Sequence, residues 1–268
     1  ACQDIKYIEE IIERKSQNFL ILYQKKENDL TKIKLRTFQK NDPLSLSNVL
    51  PFLENMGTPV HTERPYHLNL NNNISFWIQD FELKLIKNKN LDIQKNAESF
   101  QKGLQNALSG EIESDNFNRL ILYAELNHRE VALIRCYAKF LLQLGLPFSQ
   151  ESMENVLVDH SKLTKLLFKQ FEMQFDPSIN KNKRLEKLKK IKSSIKRKIS
   201  KVKSLDEDRI LSAFENSISY TLRTNFYQHD DKGNFKNYFA IKINSQNIID
   251  IPEPKPNSEI FIYSPRIE

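Results

Sequence analysis

The chain has 268 residues, 39% hydrophobic and 28% charged with a net charge of +7, enough for one or two folded domains with a real core. It holds no run of roughly 18 apolar residues able to cross a membrane, and its two cysteines are too few for a disulfide framework. The opening ACQDIKYIEEIIERK is charged and amphipathic, unlike a secretory signal, so the cytoplasm is the expected compartment.

Residues 4–15 place Ile5, Ile8, Ile11 and Ile12 on one predicted helical face. Two strands follow, Phe19–Gln24 and Lys32–Phe38. Lys25, Glu27, Asn28 and Asp29 lie between them, which predicts a hairpin. After Asn41-Asp42-Pro43, a short helix runs from about Ser47 to Asn55, and Gly57 is its natural stop. Thr58–Leu68 and Ile74–Leu85 read as two more strands, joined by the turn chemistry of Asn71-Asn72-Asn73. The order strand, strand, helix, strand, strand predicts a small α+β unit with one sheet face packed on a helix.

From Leu91 the pattern is helical. Asp115 is placed to cap a helix reaching about Leu144, with Leu133, Tyr137, Phe140, Leu141 and Leu144 on one stripe. Gly145 and Pro147 break it. Ser149 and Ser161 start the next two helices, and Asp176-Pro177 ends the second. Residues 181–203 carry 12 Lys/Arg and one acid, Glu186; this run contributes +11, so the remainder of the chain is at −4. Its apolar positions Leu185, Leu188, Ile191, Ile195, Ile199 and Val202 step by three or four and predict a helical seam. Ser204 opens a further helix to about Thr224, with Asp206, Glu207 and Asp208 in its first turn. Strand character returns at Tyr238–Ile243, at Ile248–Ile251 and at Glu259–Tyr263, around the extended Pro252–Pro256 segment. The predicted divisions are 1–90, an α+β module with its N-terminal helix; 91–228, a helical region holding the basic helix; and 229–268, terminal strands.

The chemical inventory is mostly negative. The five glycines, Gly57, Gly103, Gly110, Gly145 and Gly233, are too scattered for GxGxxG or another phosphate loop, so no cofactor site is expected in this chain. The histidines His61, His67, His128, His160 and His229 form no metal motif; His61 and His67 could share a strand face. Cys136 reads as a small buried residue, since a reactive thiol wants a basic, exposed setting. Asn127-His128-Arg129-Glu130, with Asp115, Asn118, Arg119 and Glu125, forms a polar knot that could supply an acid/base pair or structural ion pairs. No catalytic, cofactor-binding or metal residue is assigned. The basic run has no aromatic residue for base stacking, so nucleic acid is not the expected partner; a solvated face or an acidic neighbour is.

Several strings are more specific. Pro43–Gly57 (PLSLSNVLPFLENMG) with Glu63-Arg64-Pro65-Tyr66, then Asp115–Leu120 (DNFNRL), Arg129–Ala138 (REVALIRCYA), Ser204–Ile210 (SLDEDRI), Thr221–Tyr227 (TLRTNFY) and Glu259–Arg266 (EIFIYSPR) occur in the order found in one family. Together they resemble the bacterial NAD-specific glutamate dehydrogenases of the large-subunit type. The resemblance implies an ACT-like, ferredoxin-like antiparallel sheet unit, then a mainly helical region, then strands leading into a catalytic domain further along. It also implies a parent that oxidises L-glutamate to 2-oxoglutarate and ammonia with NAD, acting as a homo-oligomer. This chain would be a non-catalytic regulatory or assembly fragment of it. The family's substrate lysines and nucleotide fold lie downstream of Tyr-Ser-Pro-Arg, so none carries over. An ACT effector turn normally contains glycine between strand and helix; here Asn41-Asp42-Pro43-Leu44 has none, which points toward scaffolding. In isolation the terminal strands Tyr238–Ile243 and Glu259–Tyr263 are expected to lack their partners, to expose open edges, and to be poorly ordered or paired non-natively. The other readings are a helical adaptor that binds anionic partners through the basic helix, and a stand-alone enzyme built on His128–Glu130.

Overall fold

The computed structural model describes residues 2–14, 18–24, 32–70, 74–87, 91–249 and 253–265. The turns expected at 25–29 and 71–73, and the second half of the strand expected at 248–251, lie outside them. The fold is α+β, in two compact units, 1–128 and 129–268.

Unit 1 opens with α1 (Cys2–Arg14), followed by β1 (Asn18–Gln24), β2 (Lys32–Lys40), α2 (Leu46–Asn55), β3 (Val60–Leu70), β4 (Ile74–Lys84) and α3 (Ile93–Leu108). The sheet order is β1-β2-β4-β3 with every neighbouring pair antiparallel. Starting the count at β2 gives strand, helix, strand, strand, helix, strand, and the same spatial order as a ferredoxin-like βαββαβ sheet. The ACT-like unit is therefore that fold with its last strand moved to the front as β1.

Period-two alternation decides the two faces. Leu20, Leu22, Ile33, Leu35, Phe81 and Leu83 are buried on the face covered by α2 and α3. Phe38, Phe76 and Ile78 point the other way and form a core with Ile8 and Ile11 of α1. The α1 stripe is narrower than its four isoleucines predict: Ile5 is 56% and Ile12 47% exposed, because Tyr7 and Asp4 take the inner flank instead. Arg36 ties α1 to the sheet, donating to Asp4 at 2.9 Å and to Asp80 at 3.1 Å. At the outer side of β1, the Gln101 side chain of α3 donates to Leu20 O and accepts from Leu22 N. An amide thereby occupies strand-edge groups that would otherwise invite pairing.

The single long helix expected from Asp115 to Leu144 is instead three pieces. Asp115 does cap, accepting Phe117 N at 3.1 Å, but the cap starts a short 3₁₀ turn, Asn116–Arg119. α4 (Leu120–Tyr123) follows, then a break in which Glu125 adopts φ +51°, then α5 (His128–Gln143). No glycine or proline marks this break, so composition gave no signal for it.

Unit 2 contains α5, α6 (Gln150–Asp159), α7 (Ser161–Phe175), α8 (Lys181–Ile199) and α9 (Leu205–Ser219), then a sheet ordered β5 (Thr221–Thr224), β6 (Phe239–Ile243), β7 (Glu259–Tyr263). Ser149 and Ser204 cap as expected, accepting Ser152 N and Glu207 N. The last helix stops at Ser219 rather than near Thr224, because Thr221–Thr224 pairs with β6 as a strand. Thr221 turns the corner: its hydroxyl donates to Ser217 O at 2.8 Å and accepts from the buried Tyr137 hydroxyl at 2.8 Å. Phe239, Ile241 and Ile243 face inward as their alternation predicts. Ser245–Asn247 is a 3₁₀ turn and Ile248 follows it outside any strand. β6 and β7 pair with each other and β6 also with β5, so the terminal strands find partners inside the chain; β5 and β7 are the outer strands.

The chain's one tryptophan, Trp77, lies in β4 and reports on unit 1. Phe38→Ala is expected to cost unit 1 about 3–5 kcal/mol through lost burial and a cavity, read as an earlier denaturant midpoint in Trp77 fluorescence. An unchanged midpoint would show that α1 is not held by this core. Burial, and then the Asp80 carboxylate, push the Tyr23 phenol up to about 12. A raised folded value means stability held while the unfolded phenol stays protonated, below about pH 10. It is lost as pH rises through about 12, so wild type should lose stability relative to Tyr23→Phe across that window.

Candidate functional site

The loop between β2 and α2 occupies the position of an ACT effector turn, and its backbone groups are already engaged. Gln79 of β4 accepts Leu44 N at 2.8 Å through Oε1 and donates to Leu44 O at 3.0 Å through Nε2. The Trp77 indole donates to Asn41 O at 3.0 Å. Asn41 takes a left-handed φ of 69°, a conformation asparagine tolerates, so the turn forms without glycine. Thr37 Oγ1 and Gln39 Nε2 beside Gln79 are buried with no partner among the described residues. Gly57, after α2, has φ +77° and would place a Cβ 2.9 Å from Tyr123 Cε2, so α4 packs closely on this turn. Gly103 is equally confined, with Ile121 Cδ1 at 2.6 Å from the position of a Cβ. Both glycines are used in packing. The remaining three have open space at the Cβ position and lie outside every helix and strand. No glycine sits where a strand opens into a helix to cradle phosphate, so the residues present do not fit a dinucleotide.

The polar knot resolves around Arg129 at the start of α5. Its guanidinium lies 4.7, 4.6 and 4.9 Å from the ring centroids of Phe226, Phe235 and Phe239. It donates to Phe226 O at 2.6 Å and Lys236 O at 2.8 Å. Burial lowers its pKa to about 10, which still leaves it charged at neutral pH. The planar fork bonds two carbonyls of the 226–239 segment while its faces meet phenyl rings. Asn225 continues the anchoring, accepting Ala240 N at 2.7 Å and donating to Tyr238 O at 3.1 Å. Elsewhere in the knot, Asn118 donates to Glu113 O, and Lys95 pairs with Glu125 at 2.7 Å.

The other candidates are placed apart. Cys136 is fully buried and burial pushes its thiol up, away from reactivity. His67 stacks on Trp77 and His229 on Phe235, each at 4.3 Å. His160 Nε2 lies 2.8 Å from Glu207 Oε2. A register shift between Val60 and Thr62 falls at His61, so simple alternation does not carry to it from His67. Among the described residues no three His, Cys, Asp or Glu could hold a metal, and no helix is long and apolar enough to cross a membrane. In α8 only the C-terminal part of the expected seam is covered: Ile195 and Ile199 are buried while Leu185 is 76% exposed. No local pattern marks Gln79, nor the gathering of Phe226, Phe235 and Phe239 on Arg129 from about a hundred residues away.

Fold and anchoring define the class: an ACT-like module continued by helices into a short sheet clamped on arginine. Residues 19–96 match the family model described as glutamate dehydrogenase, ACT3 domain, and residues 112–177 that of glutamate dehydrogenase, helical motif 3. Residues 194–268 match the model of the bacterial NAD-glutamate dehydrogenase catalytic domain. This last match begins inside the basic helix, earlier than the lead-in expected at 229, so the end of the chain is similar to part of that domain itself. The NAD-specific glutamate dehydrogenase of Halomonas elongata is 35% identical over all 268 residues, which cover 16% of its own length. That of Pseudomonas aeruginosa is 39% identical over 87% of this chain and 14% of its own length. The Mycobacterium tuberculosis enzyme of the same name is 34% identical over 84% and 14%. The chain belongs to the bacterial NAD-glutamate dehydrogenase family, and spans about a sixth of the length of the Halomonas relative.

Arg129→Ala should destabilise unit 2 by about 2–4 kcal/mol, from a lost cation–π cage and two partly buried carbonyls left without their donor. Arg129→Lys should recover less than half of that, because an ammonium lacks the planar fork. Faster amide exchange at 226–240 in both variants is the signature; protection equal to wild type would remove Arg129 from this role.

Proposed function

We propose that this chain is a non-catalytic regulatory and assembly segment of a cytoplasmic NAD-dependent glutamate dehydrogenase. The parent would convert L-glutamate and NAD to 2-oxoglutarate and ammonia, and its partners would be the rest of its own chain and further subunits. The observation that carries this reading is the Arg129 cage. It fastens the part matched by the helical motif to the part matched by the catalytic domain, through bonds to main chain rather than to a reacting group. Within this division the ACT-like module occupies 1–90, the helical region 91–228 and the strand segment 229–268. No residue here is assigned a catalytic, cofactor or metal role. The β2–α2 loop, its backbone already bonded by Gln79, supports scaffolding over effector capture at that turn.

Incubated with L-glutamate and NAD, the purified chain should form no NADH by absorbance and retain no NAD in equilibrium dialysis. Stoichiometric NAD retention would sink the reading. In the parent enzyme, Arg129→Ala should reduce the amount of assembled protein while the surviving fraction keeps its KM for glutamate. A raised KM with normal assembly would instead put Arg129 near substrate.

A further inference from the structure

Of the large apolar side chains exposed among the described residues of unit 1, all but Leu46 and Ile86 lie on the side of the sheet that α1 covers. Ile5 and Ile12 belong to α1 itself. Tyr66, Leu68 and Leu70 belong to β3, where Tyr66 stands opposite Ile78 and Leu68 opposite Phe76. Directly paired residues share a face. This part of β3 therefore continues the apolar surface of Phe38, Phe76 and Ile78 that α1 buries. β3 is an outer strand, and its part of that surface is left bare. Strands lie about 4.8 Å apart and packed helices about 8–10 Å, so a second helix laid beside α1 comes down over β3.

The charge along this shelf is acidic. Glu9 and Glu13 are exposed on α1, one turn apart, and neither has an ion-pair partner among the described residues. Like charges at that spacing repel, which favours a basic neighbour.

α8 carries a matching stripe. Leu185, Lys189 and Lys192 follow at steps of four and three along one flank. Leu185 is the most exposed large apolar side chain among the described residues. Neither lysine has an ion-pair partner among them, and the one acid of α8, Glu186, is taken by Lys190. Lysine stems cover apolar surface while their ammonium heads stay in water. Ile5 precedes Glu9 by four residues, as Leu185 precedes Lys189. Aligned in parallel with Leu185 beside Ile5, the two helices bring Lys189 beside Glu9 and Lys192 within a turn of Glu13.

We propose that α8 of a second copy of this chain docks in parallel beside α1 and over β3. Leu185 and the lysine stems close the apolar shelf, and the ammonium groups of Lys189 and Lys192 answer Glu9 and Glu13. Nucleic acid would answer the lysines alone and leave the shelf and its acids uncovered. The contact gives a surface to the subunit partners proposed above without resting on them, since it is tested on this chain alone and reads no glutamate chemistry.

Sedimentation equilibrium of the full chain at neutral pH should show self-association that weakens as salt is raised. Glu9→Lys/Glu13→Lys and Lys189→Glu/Lys192→Glu should each raise the dissociation constant at least about tenfold, with the circular dichroism spectrum of wild type. Mixed one to one, these two variants should associate with each other as wild type does, because each α1 then meets an α8 of opposite charge. Leu185→Ser, at a position that buries nothing in the folded chain, should weaken association by a comparable factor. A wild-type chain that stays monomeric, self-association that neither charge reversal weakens, or a mixture that fails to restore it would overturn the proposal. Association lost on nuclease treatment would overturn it in favour of nucleic acid bound along α8.

Discussion

A guanidinium half withdrawn from water destabilises a fold unless its donors are met and its charge is answered. In unit 2 the answer comes from main-chain carbonyls and aromatic faces around Arg129. The segment it grips, from Phe226 to Phe239, contains the tight turn at Asp230–Asn234 and the isolated bridge between His229 and Phe235. Such a turn has little core of its own. Fastened to the first residues of α5, it places Phe239 at the head of β6 and so sets the register of the three-stranded sheet. Phe226 also meets Phe168 and Phe171 edge to face, and Phe239 stacks on Tyr263, so the cage is continuous with the aromatic core.

Unit 1 solves a related problem by amides. Gln79 holds the loop that precedes α2, and Gln101 satisfies the outer side of β1. Each side chain both donates and accepts, which is what exposed peptide groups require. Each therefore stands in for a strand or a ligand that the backbone would otherwise accommodate.

Much of this was legible in the chain. Period-two patterning in Lys32–Phe38, Ile74–Leu85 and Tyr238–Ile243 gives strands where strands are found, and Ser149 and Ser204 cap the helices they precede. What escaped has physical reasons. The break at Glu125 depends on a left-handed residue that is neither glycine nor proline. Thr221–Thr224 continues the helical pattern locally, and only pairing with distant β6 makes it a strand. Leu185 satisfies the spacing of a seam but is left exposed, since spacing encodes a face and not a partner. The knot at 127–130 was visible as polar density. That its arginine serves three phenylalanines could not be read, because those contacts span about a hundred residues.

The rearranged strand order of unit 1 changes how the module is wired into a long polypeptide. In the common order the chain departs along an outer strand, so anything joined after the module hangs from the rim of the sheet. Here the rim strand β1 comes first and the chain departs from a helix, α3, laid across the sheet. Successive helical segments can then be appended directly to α3, and insertions downstream leave every strand pair untouched. Cutting the link between β1 and β2 and splicing β1 after α3 would restore the common connectivity with the same neighbours in space. The module is thus suited to serve as an in-line bead on a helical string.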